Sequence, residues 1–148
     1  MLTKLINLLF SFLSSPTSVE TYEISLSDYY GSHDRSELTP QDEENAVDLL
    51  ARVNTLLRTL VPNKSFTVTS GWRPALHNIH IGGAKRSRHI ICQAVDLRDL
   101  DGDLGSLLAK NRDLLQSLGL AIENPSCTPT WVHIQHPPPR SGNIIFLP

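Results

Sequence analysis

The sequence predicts an α+β domain, a small antiparallel sheet flanked by helices. Three observations carry this: a long amphipathic run before Pro62, several short β-like runs after it, and a second leucine-rich helical run between two of those. Helices and strands segregated in this way pack as a sheet covered by helices, not as alternating parallel units.

The first helix is announced by Thr39-Pro40-Gln41-Asp42, which supplies a capping hydroxyl, a proline at the first helical position and an acid in the first turn. Ala46, Leu49, Leu50, Val53, Leu56, Leu57 and Leu60 recur at three- and four-residue steps, while Asp42, Glu43, Glu44, Asp48, Arg52 and Arg58 lie mostly elsewhere. That pattern is one apolar face turned to a core, and Pro62 ends it. The runs Phe66–Thr69, Ala94–Leu97, Trp131–Ile134 and Ile144–Leu147 are rich in β-branched and aromatic residues and read as strands. Leu104, Leu107, Leu108, Leu114, Leu115 and Leu118 mark another helix, stopped at Gly119. A further short strand follows and ends near Glu123.

A chain of 148 residues suits one domain with a core of its own. Charged residues make up 19% and apolar residues 40%, which is globular composition. A formal charge of −2, with Lys and Arg scattered among carboxylates, offers no stripe for nucleic acid, which is excluded as a partner. Two cysteines, Cys92 and Cys127, allow at most one disulfide, so the fold stands on its core. Whether they pair depends on a Cα separation that sequence does not give.

Residues 1–19 read as an N-terminal apolar segment and linker, and residues 20–148 as the folded domain. Met1–Leu13 is too short to span a bilayer. It carries Lys4 and an apolar run but no small-x-small cleavage site. It reads either as a packed helix or as a segment that contacts a membrane. Ser14–Val19 is polar.

The chemistry concentrates later in the chain. Asp96 falls between Val95 and Leu97, and His133 between Val132 and Ile134. Strand alternation therefore turns each polar group away from its apolar neighbours. If the two strands are close, Asp96 and His133 share a face, and His89 reaches in from the preceding loop. Alone this means little, since a strand histidine is more often at the surface or satisfied in a core.

The ordered set Ser70-Gly71-Trp72-Arg73-Pro74, Asn78, Gly82-Gly83-Ala84-Lys85, Ser87-Arg88-His89, Ala94-Val95-Asp96 and Trp131-Val132-His133 resembles the M15 zinc D,D-peptidases. The resemblance spans Phe66 to Gln135, about half the chain. It implies a Hedgehog/D,D-peptidase-like fold, zinc (Zn2+) held by His89, Asp96 and His133, and Arg73 in a cleft beside the substrate. It also implies hydrolysis of peptidoglycan stem peptides at the bacterial cell wall, by a D,D-carboxypeptidase, an endopeptidase or an endolysin. Arg suits that cleft because its planar, permanently charged fork matches a carboxylate or a developing oxyanion. Ser87 and Gln135, the latter on the same strand face as His133, are expected to contact substrate.

Two departures stand out. The family usually has glycine where this chain has Cys92, read here as a filler ahead of an adventitious metal ligand or an oxidation-sensitive thiol. Many members carry an acid three residues before the last histidine, where this chain has Thr130, which cannot act as a base. Glu123 is the nearest upstream acid. It is either folded back over the metal as the base or a solvated loop residue, and a hydrolase of this kind needs such a carboxylate. The displaced acid keeps a second function open: a non-catalytic zinc-binding module that recognises cell-wall peptide or a protein partner. His77 and His80 stand three apart without a third ligand and read as loop polarity or substrate contact; nothing surrounds His33 or His136 to single them out.

Overall fold

A computed structural model describes residues 22–148. The apolar run Met1–Leu13, the linker Ser14–Val19 and the domain boundary at residue 20 lie outside them. The elements are α1 (Leu26–Tyr30), α2 (Pro40–Leu60), β1 (Val68–Ser70), α3 (Ala75–His80), β2 (Ala94–Arg98), α4 (Asp103–Lys110), α5 (Arg112–Ser117), β3 (Ala121–Glu123), a 3-10 turn (Pro125–Cys127), β4 (Trp131–Gln135) and β5 (Ile145–Phe146). Among the described residues no helix is long and apolar enough to cross a membrane.

α2 forms where its sequence predicts. Thr39 and Asp42 close a capping box, with Asp42 N donating to Thr39 Oγ1 at 3.2 Å and Thr39 N to Asp42 Oδ2 at 3.0 Å. Its buried face, Ala46, Leu49, Leu50, Val53, Leu56 and Leu57, joins one cluster with Val95 and Leu97 of β2 and Val132 and Ile134 of β4. That leaves Ala94, Asp96, His133 and Gln135 to the opposite face.

The five strands run in the order β1-β2-β4-β3-β5. Three of the four pairings are antiparallel, but β5 runs parallel to β3. The expected α+β architecture stands, and the expected antiparallel sheet is corrected to a mixed one. The long connection from β3 through the 3-10 turn and β4 gives β5 the room to return in the same direction as β3. Strand β1 begins at Val68, later than the predicted Phe66, and its register against β2 shifts between Val68 and Ser70. Phe66 instead packs against the core, partly buried.

The single helix expected from Leu104 to Leu118 is two. Asn111 leaves helical geometry (φ −110°, ψ 46°), and its Nδ2 donates to Leu107 O at 2.8 Å. A short amide that satisfies a terminal carbonyl competes with continued helix. Asp99 caps the start of α4, accepting from Leu104 N at 3.0 Å and Gly105 N at 2.8 Å. Gly119 ends the pair in the left-handed region, φ 65°, as predicted. The short α1 and α3 have no counterpart in the sequence prediction. α1 carries its own capping box between Ser25 and Asp28.

Candidate metal centre

Register builds the centre. Asp96 of β2 lies opposite His133 of β4 and, on its other side, opposite Ser70 of β1. Ala121 pairs Gln135 and Ile122 pairs Ile134, so the same register continued by one residue sets Glu123 beside His133. Glu123 in turn pairs Phe146 of β5. Ser70, Asp96, His133, Glu123 and Phe146 thus form one row across the sheet. Directly opposite residues share a face.

The Asp96 carboxylate divides its two oxygens. Oδ1 lies 2.8 Å from His133 Nδ1 and 3.3 Å from His89 Nε2, while Oδ2 accepts from Arg73 Nη2 at 3.0 Å. Arg73 is held in turn by Nε donating to Ser70 Oγ at 2.7 Å. The rings of His89 and His133 meet edge-on at 5.2 Å, and Phe146 packs edge-on against His133 at 6.0 Å.

His89 comes from the loop before β2 and is only 2% exposed. Its Nδ1 donates to Gly71 O at 2.7 Å, which fixes the tautomer and leaves Nε2 as a lone pair. That Nε2 is buried without a hydrogen-bond partner. Close approach on β1's far end makes this possible. A Cβ at Gly71 would lie 1.8 Å from Tyr29 O, so only glycine lets this segment pass α1. Trp72 locks the loop from the other side, its Nε1 donating to Ile90 O at 3.1 Å.

These residues fit a metal ion. An orphaned buried imidazole nitrogen, a second imidazole and a carboxylate converge with all three donor atoms within 4.8 Å of one another. Donors around a tetrahedral zinc lie about 3.3 Å apart, given bonds of about 2.0–2.1 Å. Arg73 on Asp96 and Gly71 on His89 are the outer hydrogen bonds that orient such ligands. Burial pushes the His89 pKa down, only partly offset by the Asp96 carboxylate beside it, which favours the neutral, ligating form of the ring. Burial pushes Asp96 up, but the hydrogen bond from His133 and the proximity of the two imidazoles outweigh it and hold the carboxyl below its usual range.

The centre lies in a cleft of about 340 Å³ lined by Arg73, Ser87, His89, Asp96, Glu123, His133 and Gln135, whereas His77 and His80 do not line it. Glu123 is therefore on the cleft, not out in a solvated loop. Ser87 Oγ accepts from His89 N at 3.3 Å, so the hydroxyl also steadies the loop. Gln135 is buried, and its Nε2 donates to Pro137 O at 3.0 Å. Arg86 and Arg88, on either side of Ser87, line the cleft as well, and no pattern in the sequence singles them out. The same holds for Phe146, whose only signal is membership of the Ile144–Leu147 run.

Cys92 explains its own departure from the family. It holds a positive φ of 56° with no exposure, a backbone region that favours glycine. The thiol fills space beside Tyr29, and burial pushes it up to about 12, so it is an inert filler. Cys92 and Cys127 are both free. His77, on α3, packs at a tilt against His33 with ring centroids 4.7 Å apart and does not line the metal cleft. His136 is a tie between elements, with Nδ1 2.6 Å from Gly119 O and Nε2 3.1 Å from Asp48 Oδ2.

Fold and site together define a small α+β domain that presents a buried His-Asp-His metal-holding group on one face of its sheet, in a cleft with a carboxylate and arginines in its walls. The chain belongs to the M15 peptidase family: the family model described as Peptidase M15 matches residues 30–135, more than half the chain. Members of that family are metallopeptidases, and the His-Asp-His group here can hold the metal such an activity requires. No curated protein is similar enough to match this chain.

Proposed function

We propose that this M15 peptidase is a zinc enzyme that hydrolyses peptide bonds in the stem peptides of bacterial peptidoglycan, as a D,D-carboxypeptidase or an endopeptidase of the endolysin kind. The observation that carries the reading is the buried, unpartnered Nε2 of His89, aimed at Asp96 Oδ1 in the same cleft as Glu123. A lone pair left unsatisfied at 2% exposure is costly unless a ligand completes it.

His89, Asp96 and His133 hold the zinc, which when bound supplies Lewis acidity at neutral pH. Glu123, one strand over from His133, takes the proton of the attacking water and passes it to the leaving amine. Arg73 has Nε and Nη2 committed to Ser70 and Asp96, so its remaining terminal nitrogen is the edge that steadies charge on the substrate. Ser87 and Gln135 shape the walls around the peptide.

Purified peptidoglycan digested with and without a zinc chelator, with the fragments read by mass spectrometry, tests the proposal. New chelator-sensitive termini are expected, and their identity names the bond. Intact sacculi from zinc-loaded protein would overturn hydrolysis and leave a zinc-binding module that recognises cell-wall peptide.

A further inference from the structure

The cleft is cationic on a chain that is not. Three of the 13 lysines and arginines, Arg73, Arg86 and Arg88, line this one cavity, although the chain carries a net charge of −2. Two of the three are partly committed within the protein. Arg73 is bound by Asp96 and Ser70, and Arg88 by the Gln93 side chain. Arg86 has no hydrogen-bond or ion-pair partner among the described residues.

An exposed arginine on a loose loop would mean nothing, but this loop is pinned. Asn78, buried at 2%, donates through Nδ2 to Ala84 O at 3.0 Å, and its own carbonyl accepts from Gly83 N at 2.8 Å. Gly83 sits so close to Asn78 that a Cβ there would lie 2.1 Å from Oδ1. Ser87 N donates to Ala84 O at 2.9 Å, closing the turn on which Arg86 stands. The turn is thus fastened on both sides of Arg86, and the residue after it, Ser87, hydrogen-bonds to the backbone of His89.

We infer that Arg86 is a specificity-determining residue that receives a free carboxylate of the substrate close to the scissile bond. A planar, always-charged fork on a fixed turn, in a cleft whose other guanidiniums are partly committed within the protein, is suited to bidentate capture of a carboxylate. The inference rests on the peptidase reading above and names its substrate class: peptides with an ionised carboxyl beside the bond that is cut. A charged hydrogen bond of this type changes affinity roughly ten- to a hundredfold.

The test uses a synthetic stem peptide ending in D-Ala-D-Ala, with its carboxyls free or amidated one at a time. Wild type, Arg86→Gln and Arg86→Lys, all zinc-loaded, are compared for kcat/KM by chromatography and for affinity by calorimetry. The expected result is that amidating one carboxyl lowers wild-type kcat/KM at least about tenfold through KM, with the same contrast in affinity. That preference disappears in Arg86→Gln and is partly kept in Arg86→Lys. Equal handling of acid and amide by wild type, or a preference that persists in Arg86→Gln, overturns the carboxylate site. Failure of wild type to cleave any form while the affinity contrast survives overturns the hydrolytic reading and leaves the carboxylate site in place.

Discussion

The metal centre is assembled from two halves by different means. Asp96, His133 and Glu123 are set by strand register, each directly beside the next across β2, β4 and β3. His89, Arg73 and the turn bearing Arg86 are set by loops, and each loop is placed by a contact from another segment: Gly71 against Tyr29, Trp72 onto Ile90, Asn78 onto Ala84. A sheet repeats its geometry, so a residue's position there follows from counting. A loop repeats nothing, and each of its functional groups needs its own close-packed support. The strand half is therefore expected to keep its shape under substitutions that scatter the loop half.

Removing the chemistry of the strand half without its geometry gives the largest effect. Glu123→Gln keeps the row and is expected to bind zinc as wild type does while kcat falls about 10³-fold, roughly 4 kcal/mol of barrier. Metal content by atomic absorption alongside turnover decides it; undiminished turnover would return Glu123 to a bystander on the cleft wall. The loop half breaks at Gly71→Ala. Its Cβ meets the Tyr29 carbonyl at 1.8 Å, so a loss of about 3 kcal/mol in urea unfolding is expected, with weakened metal binding as the Gly71 carbonyl leaves His89. Stability and metal affinity equal to wild type would show that the loop is not held by this approach. The smallest effect sharpens the comparison at Cys92, the loop residue with a left-handed backbone. Cys92→Gly is expected to be about 1 kcal/mol more stable than Cys92→Ala in thermal melts, because glycine alone is at ease at φ 56°. The opposite order would mean that the volume of the side chain outweighs backbone strain there.

The same division governs what is legible in the sequence. The face that Asp96 and His133 occupy can be read from alternation, because apolar neighbours on both sides leave a strand residue no other face, whereas their role as ligands is read from the family resemblance. α2 is legible to within a residue, because its cap and its stripe agree. His89 carries no local pattern; only the family resemblance points to it, and its burial is created by Gly71 and Trp72, about 17 residues or more earlier. β5 is visible as a strand but its direction is not, since a run of apolar residues does not name its partner. The five-residue α1 is too short for periodicity, although Ser25 and Asp28 spell a capping box that announces it. Arg86 stays hidden because a charged residue in a loop is ordinarily solvated. What distinguishes it is the fastening of its turn by Asn78, a contact that sequence does not display.

The parallel strand β5 carries Phe146 against His133, and Pro148 stands in the cleft wall beside it. One wall of the cleft is thus hung on an edge strand of two residues, held to the sheet, among the described residues, through β3 alone. Loosening that pairing would move the wall while leaving Asp96 and His133 seated on their own strands, so the width of the opening and the integrity of the ligand set are separately adjustable.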